Sequence, residues 1–267
     1  MSALLLAIRR CRAPWILPLV ALLAPSPAVT AAELREGIWT VSPTVASHYV
    51  FRGVKLAGAS FQPWVEYNAG PLSAGIWSSA SLHGRSFRDA DPEVDLYGSY
   101  AFSAASGAFS IVPGFYWYTY PAVKDEDHRH AMTFEPSLGV VFTWAGVQFT
   151  PKIYYDTVLK GATGEINAAI AVPLKSWGTE LDFSASAGTY KWSNVARHES
   201  PRVKNWGDYW SVGVAVPVQI TMHSKLTAAV TYSEGSNNFF KSGTAPREAN
   251  ADAHGQTFAT LSYSFTF

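Results

Sequence analysis

The chain has 267 residues, with 20 basic and 20 acidic side chains and a formal net charge of zero. Its 15 Phe, 10 Trp and 13 Tyr make it too apolar and aromatic for a disordered chain, and its single cysteine excludes a disulfide scaffold. The balanced charge also argues against nucleic acid as a partner, because sequence-independent binding to phosphates needs a basic surface.

Residues 1–31 have the pattern of an export signal. Three arginines within the first twelve residues precede an apolar run over 13–23, and small residues follow before Ala32. Prolines interrupt this region, whereas a membrane anchor helix needs about 20 unbroken apolar residues. We therefore predict a cleaved signal peptide over 1–31 and a single mature domain over 32–267, which lacks the only cysteine, Cys11.

From Ile38 onward, apolar residues alternate with small or polar residues in segments that recur every ten to twelve positions. In residues 132–142, for example, Met132, Phe134 and Leu138 alternate with polar or small residues. This period of two predicts β-strands with one apolar face. The same alternation is present over 147–156, 165–174, 180–187 and 225–233.

Short and longer connections alternate along the chain. Tight turns are predicted near 68–71, 104–107, 143–146, 175–178 and 221–224, most of them with glycine. Longer polar connections are predicted near 52–59, 82–92, 121–131, 157–163, 191–206 and 235–254. These connections join about twelve strands. The pattern predicts an all-β fold: a closed antiparallel up-and-down transmembrane β-barrel with short periplasmic turns and longer extracellular loops.

Aromatic residues near the predicted strand ends favour this barrel over a soluble β-sandwich. They are Trp77, Trp117, Tyr118, Tyr120, Trp144, Trp177, Tyr190, Trp192 and Trp206. Lipid-facing barrels carry aromatic girdles at both membrane interfaces. The chain also ends on an alternating segment with an aromatic last residue, Phe267, which resembles the C-terminal strand that the barrel-assembly machinery recognises. We expect Phe267 to contact that machinery in the bacterial outer membrane.

Prolines inside predicted strands oppose this interpretation, because each proline removes a ladder hydrogen bond. They are Pro63, Pro113, Pro136, Pro151, Pro173 and Pro217. We expect bulges or strand ends at several of them.

Four segments in the first half of the chain carry a family resemblance. Residues 45–54 read Val-Ala-Ser-His-Tyr-Val-Phe-Arg-Gly-Val, and segments at 75–79, 93–100 and 116–121 follow. Their order and spacing over residues 40–121 resemble the TorF-like porins, a group of exported bacterial proteins. The resemblance implies an outer-membrane barrel with a transport function, and it carries no catalytic residues.

If the apolar side chains face lipid, the opposite side chains face the barrel interior. The ionisable residues on that side are Arg52, Glu66, Asp95, Glu135, Lys152, Asp156, Glu165, Glu180, Asp182 and Lys225. A twelve-stranded barrel has a narrow lumen, and an excess of acidic side chains favours cations. We predict a porin-like channel for passive diffusion of small hydrophilic solutes with a weak cation preference.

Two other functions stay open. The interior charges could pair with one another and fill a non-conducting barrel that has a structural or partner-binding role. An outer-leaflet lipid hydrolase would need a serine and a histidine in contact, and the sequence offers His198 with Ser200 and His223 with Ser224. Neither pair has the setting of a catalytic site, so we predict no enzyme activity.

Charged loops suggest further contacts but no cofactor. The cluster over residues 125–130 contains carboxylates and imidazoles that could hold a divalent ion, yet such a run is more often a solvated loop, and we predict no metal site. Basic side chains in the loop at 191–204 could contact lipopolysaccharide phosphates. They are Lys191, Arg197, Arg202 and Lys204.

Overall fold

The computed structural model describes residues 37–84, 91–123, 131–191, 206–236 and 253–267. In chain order its strands are β1 (Ile38–Ser42), β2 (Thr44–Ala46), β3 (Tyr49–Phe51), β4 (Val54–Ala57), β5 (Ser60–Phe61), β6 (Trp64–Ala69), β7 (Leu72–Ser81), β8 (Glu93–Tyr100), β9 (Phe102–Ser103), β10 (Phe109–Thr119), β11 (Met132–Trp144), β12 (Val147–Asp156), β13 (Gly161–Leu174), β14 (Thr179–Lys191), β15 (Trp206–Thr221), β16 (Ser224–Gly235) and β17 (Gln256–Thr266). A short 3-10 helix over Lys175–Trp177 separates β13 from β14. No helix within the described ranges is long and apolar enough to cross a membrane.

The strands form a closed antiparallel barrel of twelve strands, as predicted. Three barrel strands are interrupted and consist of two segments each: β1 with β2, β5 with β6, and β8 with β9. Each barrel strand pairs with its neighbours in chain order, and β17 closes the barrel by pairing with both β1 and β2. Val41 lies opposite Phe265, and Val45 lies opposite Leu261.

The two ends of the barrel differ in their connections. At one end, which we call the short-turn end, all five predicted tight turns are present, and β1 begins and β17 ends there. The turn between β11 and β12 needs only Ala145 and Gly146, both with positive φ, which suits a two-residue hairpin. At the opposite end, which we call the long-connection end, the predicted connection at 157–163 is shorter than expected because β13 already begins at Gly161.

Side chains alternate between an apolar outer face and a polar inner face. In β11, Met132, Phe134 and Leu138 are exposed on the outside, whereas Thr133 and Glu135 are buried on the inside. This arrangement inverts that of a soluble protein, whose apolar side chains are buried, and it is the pattern of a barrel that lipid surrounds.

The interior is filled in one half and open in the other. In β15, Ser211 and Ala215 are buried, but Gln219, which follows on the same inner face toward the short turns, is exposed. The inner residues of β11 likewise change from buried near the long-connection end to exposed at Thr143. Solvent therefore enters the barrel from the short-turn end.

The prolines interrupt the strands less than expected. Only Pro63 lies at a strand interruption, between β5 and β6. The others lie inside continuous strands: Pro113 in β10, Pro136 in β11, Pro151 in β12, Pro173 in β13 and Pro217 in β15. In an antiparallel ladder each N–H points to one neighbouring strand only, so a proline removes one bond and a long strand stays paired. Near Pro151 the paired positions of β11 and β12 skip from Gly139–Lys152 to Phe142–Phe149.

The aromatic girdle is present in part. Trp144 and Trp177 are highly exposed at the short turns, and Trp117 and Trp206 also point outward. Three residues assigned to the girdle are instead buried inside the barrel: Trp77, Tyr118 and Tyr190. Their side chains point inward because of their position in the alternation along each strand. This position, and not the distance to a strand end, decides whether an aromatic residue faces the interior. Trp192 lies outside the described residues.

Candidate functional site in the barrel interior

The connection between β2 and β5 folds into the barrel as a small hairpin. We call residues 49–57, which comprise β3 and β4, the lumenal hairpin. These two strands pair only with each other, in a sheet separate from the barrel wall. The hairpin contacts wall strands on different sides of the lumen: Tyr49 bonds Glu93 in β8, the Phe51 ring packs on Tyr118 in β10, Arg52 bonds Glu135 in β11, and Gly53 packs on Tyr209 in β15. It therefore lies inside the barrel.

Local sequence explains why this segment turns back on itself. Phe51 pairs with Val54, which leaves Arg52 and Gly53 as a two-residue turn. Both have positive φ, +46° and +79°, as a type I′ hairpin turn requires. Val50 and Val54 in the flanking strands are completely buried. The element that carries the family resemblance, residues 45–54, thus includes the tip of the hairpin.

Arg52, which the sequence predicts to face the barrel interior, lies at the hairpin tip. Its guanidinium donates from Nη1 to Oε1 of Glu135 at 2.9 Å and from Nη2 to Oε2 at 2.7 Å. Tyr118 donates its hydroxyl to the same Oε2 at 3.1 Å. Arg52 is 2% exposed and Glu135 1% exposed, so this bidentate ion pair is withdrawn from water. Such pairs are the strongest geometry for an arginine and a carboxylate.

A second basic group lies next to this pair. The Lys152 ammonium donates to the hydroxyl of Tyr116 at 3.1 Å and lies 4.8 Å from the centroid of that ring. It also lies 5.1 Å from the ring centroid of Tyr154, which the guanidinium of Arg52 approaches to 5.3 Å. Two cations thus share the ring of Tyr154.

Tyrosine hydroxyls bind the inner carboxylates in three further places. Glu165 accepts from Tyr209 at 2.5 Å and from Tyr154 at 3.3 Å. Glu66 accepts from Tyr97 at 3.1 Å. Hydrogen bonds of this kind hold carboxylates at fixed positions on the wall without neutralising their charge.

Most of the predicted interior residues lie on the inner face. Seven are buried there: Glu66, Asp95, Glu135, Lys152, Asp156, Glu165 and Asp182. Glu180 and Lys225 are half-buried nearer the short turns. The structure brings Arg52 and Glu135 into contact, but neither oxygen of Asp182 has a hydrogen-bond partner among the described residues.

Sequence reasoning missed Glu93 and the inner tyrosines. Glu93 has the same parity as Asp95 in β8 and could have been found from that signal. Tyr97, Tyr116, Tyr154 and Tyr209 also occupy inner positions of their strands. The position of the hairpin inside the lumen had no counterpart in the strand pattern.

The remaining inner wall is rich in small hydroxyl side chains. Neighbouring strands pair them directly, as in Ser42 with Ser264 at 2.9 Å and Thr44 with Ser262 at 2.7 Å. No three His, Cys, Asp or Glu side chains in the described part of the chain are arranged to hold a metal ion. The predicted charged cluster at 125–130 and the basic side chains at 197, 202 and 204 lie outside the described residues.

Of the two predicted serine and histidine pairs, His223 with Ser224 lies within the described residues. Ser224 directs its hydroxyl to the hydroxyl of Thr221 at 2.8 Å, in the turn between β15 and β16. The backbone N–H of His223 in this turn donates to the same Thr221 hydroxyl at 3.2 Å. The other pair, His198 with Ser200, lies outside the described residues.

Comparison with solved structures shows the fold that this chain shares. The NanC porin matches with a TM-score of 0.51 at 12% identity, over 85% of this chain and 98% of that chain. The KdgM porin matches with a TM-score of 0.49 at 10% identity, over 85% and 99%. LpxR from Salmonella typhimurium matches with a TM-score of 0.48 at 8% identity, over 85% and 100%.

The sequence itself gives a family. No curated protein matches the chain. A family model described as "Bacterial protein of unknown function (Gcw_chp)" matches residues 35–265. The barrel, its interior and this match together show that the chain belongs to the Gcw_chp family and has the fold of outer-membrane porin barrels.

Proposed function

We propose that this protein is an outer-membrane channel of porin type for passive diffusion of small hydrophilic solutes. The observation that carries the proposal is a closed barrel with an apolar outside and a polar, acid-rich inside that opens to solvent at one end. Such a barrel is stable only where lipid covers its outer face. The resemblance to the TorF-like porins, which stays a prediction, agrees with this function.

Strand length supports a location in the outer membrane. A tilted strand needs about 9–11 residues to cross a bilayer, and β10 to β17 have between 10 and 16. The short-turn end then faces the periplasm, and lipid and lipopolysaccharide surround the wall. Phe267 remains our candidate contact for the barrel-assembly machinery.

The charge of the interior supports a weak cation preference. Eight acidic and two basic side chains are buried among the described residues. Asp182 and one oxygen of Asp95 have no hydrogen-bond partner there. Acidic side chains around a narrow lumen attract cations and repel anions.

A second candidate is a non-conducting barrel with a structural or partner-binding role. The observation that favours it is the lumenal hairpin, which fills the half of the interior next to the long connections. We propose no catalytic role for either candidate. Ser224 bonds Thr221 in a short turn, on the periplasmic side of the barrel and away from outer-leaflet lipid.

Single-channel recording in a planar bilayer tests the proposal and separates the two candidates. We expect discrete open steps and, in a salt gradient, a reversal potential of the sign that cation flow produces. Protein that has been heat-denatured before reconstitution serves as the control for detergent artefacts. Correctly folded protein without any open steps would support the non-conducting barrel, and a clear anion preference would refute the cation preference.

A further inference from the structure

The wall around Glu135 has all the features of a binding site for a guanidinium group. The Glu135 carboxylate accepts two parallel hydrogen bonds, at 2.9 and 2.7 Å, from the two terminal nitrogens of Arg52. The Tyr118 hydroxyl donates to the carboxylate from the side and fixes its orientation. The Tyr154 ring lies 5.3 Å from the guanidinium carbon, at the distance of a cation–π contact. We call Glu135, Tyr118 and Tyr154 the Glu135 site.

The three residues of the Glu135 site and the cation that they hold belong to different parts of the structure. Tyr118, Glu135 and Tyr154 lie on the neighbouring wall strands β10, β11 and β12. Arg52 lies on the lumenal hairpin, whose two strands have no backbone pairing with the wall. Movement of the hairpin would remove the cation and leave the site behind.

An empty Glu135 site would strongly favour another cation. Without Arg52 the buried carboxylate would keep the Tyr118 hydroxyl but have no cation to compensate for its lost hydration, which is costly. Glu135 is 1% exposed, and the interior around it already contains more acidic than basic side chains. The lumen therefore attracts a cationic solute toward this position.

The geometry selects among cations. A guanidinium group is planar, offers two parallel N–H donors and stacks on aromatic rings, whereas an ammonium group is a compact point charge. Lys152 on the same wall shows how an ammonium group is bound differently. Its ammonium donates to a tyrosine hydroxyl and approaches two aromatic rings. Among the described residues, no carboxylate lies within ion-pair distance of it.

We propose that the Glu135 site binds the guanidinium group of a solute, and that Arg52 occupies the site as an internal substitute when no solute is bound. This proposal rests on the proposed function, since it names the class of solute that the lumen admits. A solute that bears a guanidinium group would compete with Arg52 for Glu135 and release the tip of the hairpin.

Chemical rescue of an emptied site tests the proposal. Arg52→Ala removes the internal guanidinium, and methylguanidinium is then added at millimolar concentration to the folded barrel in detergent. We expect a saturable rise in the unfolding temperature of Arg52→Ala and little change for the wild type, whose site is occupied. Methylammonium at equal ionic strength is the matched control. We expect it to need about tenfold higher concentration, which is the value of one further charge-assisted hydrogen bond.

A second variant shows where the cation binds. In Arg52→Ala combined with Glu135→Gln, we expect the difference between the two cations to disappear. If it persists, or if both cations stabilise Arg52→Ala equally, the Glu135 site does not bind guanidinium. Arg52→Gln keeps most of the side chain and replaces Arg52→Ala if the latter does not fold. This experiment measures binding, so its failure is distinct from failure of the proposed function. A barrel that binds methylguanidinium but does not conduct would refute the channel and support the Glu135 site. A barrel that conducts but shows no rescue would support the channel and refute the Glu135 site.

Discussion

Gly53 at the tip of the lumenal hairpin packs directly against the backbone of Gly235 at the end of β16. A Cβ atom on Gly53 would lie 2.9 Å from the Cα of Gly235, and a Cβ on Gly235 would lie 3.2 Å from the Cα of Gly53. No side chain separates the two backbone segments. The hairpin tip therefore contacts the wall directly on this side, while Arg52 extends to Glu135 in β11.

Replacing Gly53 with alanine should therefore destabilise the packing of the hairpin against the wall. Gly53→Ala combines a positive φ, which costs about 1 kcal/mol for a side chain, with a clash worth a further ~1–3 kcal/mol. The matched control is Gly146→Ala, where φ is also positive but the space is open. Urea unfolding in lipid bilayers measures both free energies. Equal losses for the two variants would show that the contact with Gly235 contributes nothing.

Removal of the Tyr49 hydroxyl should destabilise the barrel through Glu93. This hydroxyl donates to Oε2 of Glu93 at 3.0 Å, and both side chains are buried. Tyr49→Phe keeps the ring on Trp77 but deprives the carboxylate of a donor, at a cost of about 1–3 kcal/mol in unfolding free energy. Tyr263→Phe, on the outer face, is the control and should change little. A loss no larger than that of Tyr263→Phe would contradict the assigned hydrogen bond.

If the barrel conducts as proposed, neutralising Lys152 should increase its preference for cations. Lys152→Met removes one of the two buried basic groups among the described residues and preserves much of the side-chain volume. The reversal potential in a salt gradient should shift further toward the value for cations. Lys175→Met, in the exposed short helix at the short-turn end, is the control. No shift, or an equal shift for both variants, would place Lys152 outside the ion path, and a shift toward anions would contradict the electrostatic argument.

The apolar outer face can be tested with arginine at two depths of one strand. Leu138 lies midway along β11 and Met132 lies at its start, and both point outward. Arginine costs about 2–4 kcal/mol at the bilayer midplane and about 0–1 kcal/mol near the interface. Leu138→Arg should thus lower the unfolding free energy in bilayers much more than Met132→Arg. Similar values for the two would mean that this face does not contact lipid.

The barrel itself followed from two regular signals in the sequence. Side chains in strands alternate with a period of two, so Glu135 and Glu165 could be assigned to the inside from their neighbours alone. The difference between short and longer connections then gave the strand number. Both signals are local, and the contrast between an apolar outer face and a polar inner face makes the alternation especially clear.

The lumenal hairpin could not be predicted in the same way. Arg52 and Gly53 indicate a tight turn at most, and nothing local shows whether that turn points into the lumen or into solvent. The partner of Arg52 lies 83 residues away in the sequence, on a strand that the barrel brings opposite. The parity of the side chains assigned Arg52 to the interior, but it could not show that a hairpin, rather than a wall strand, carries the residue there.

Both ends of the lumenal hairpin join short strand segments that form few backbone pairs. β2 pairs with β17 at three positions and with β5 at only two, whereas β13 and β14 pair at thirteen. The segment that fills the lumen is therefore attached to the wall through short strand segments on both sides.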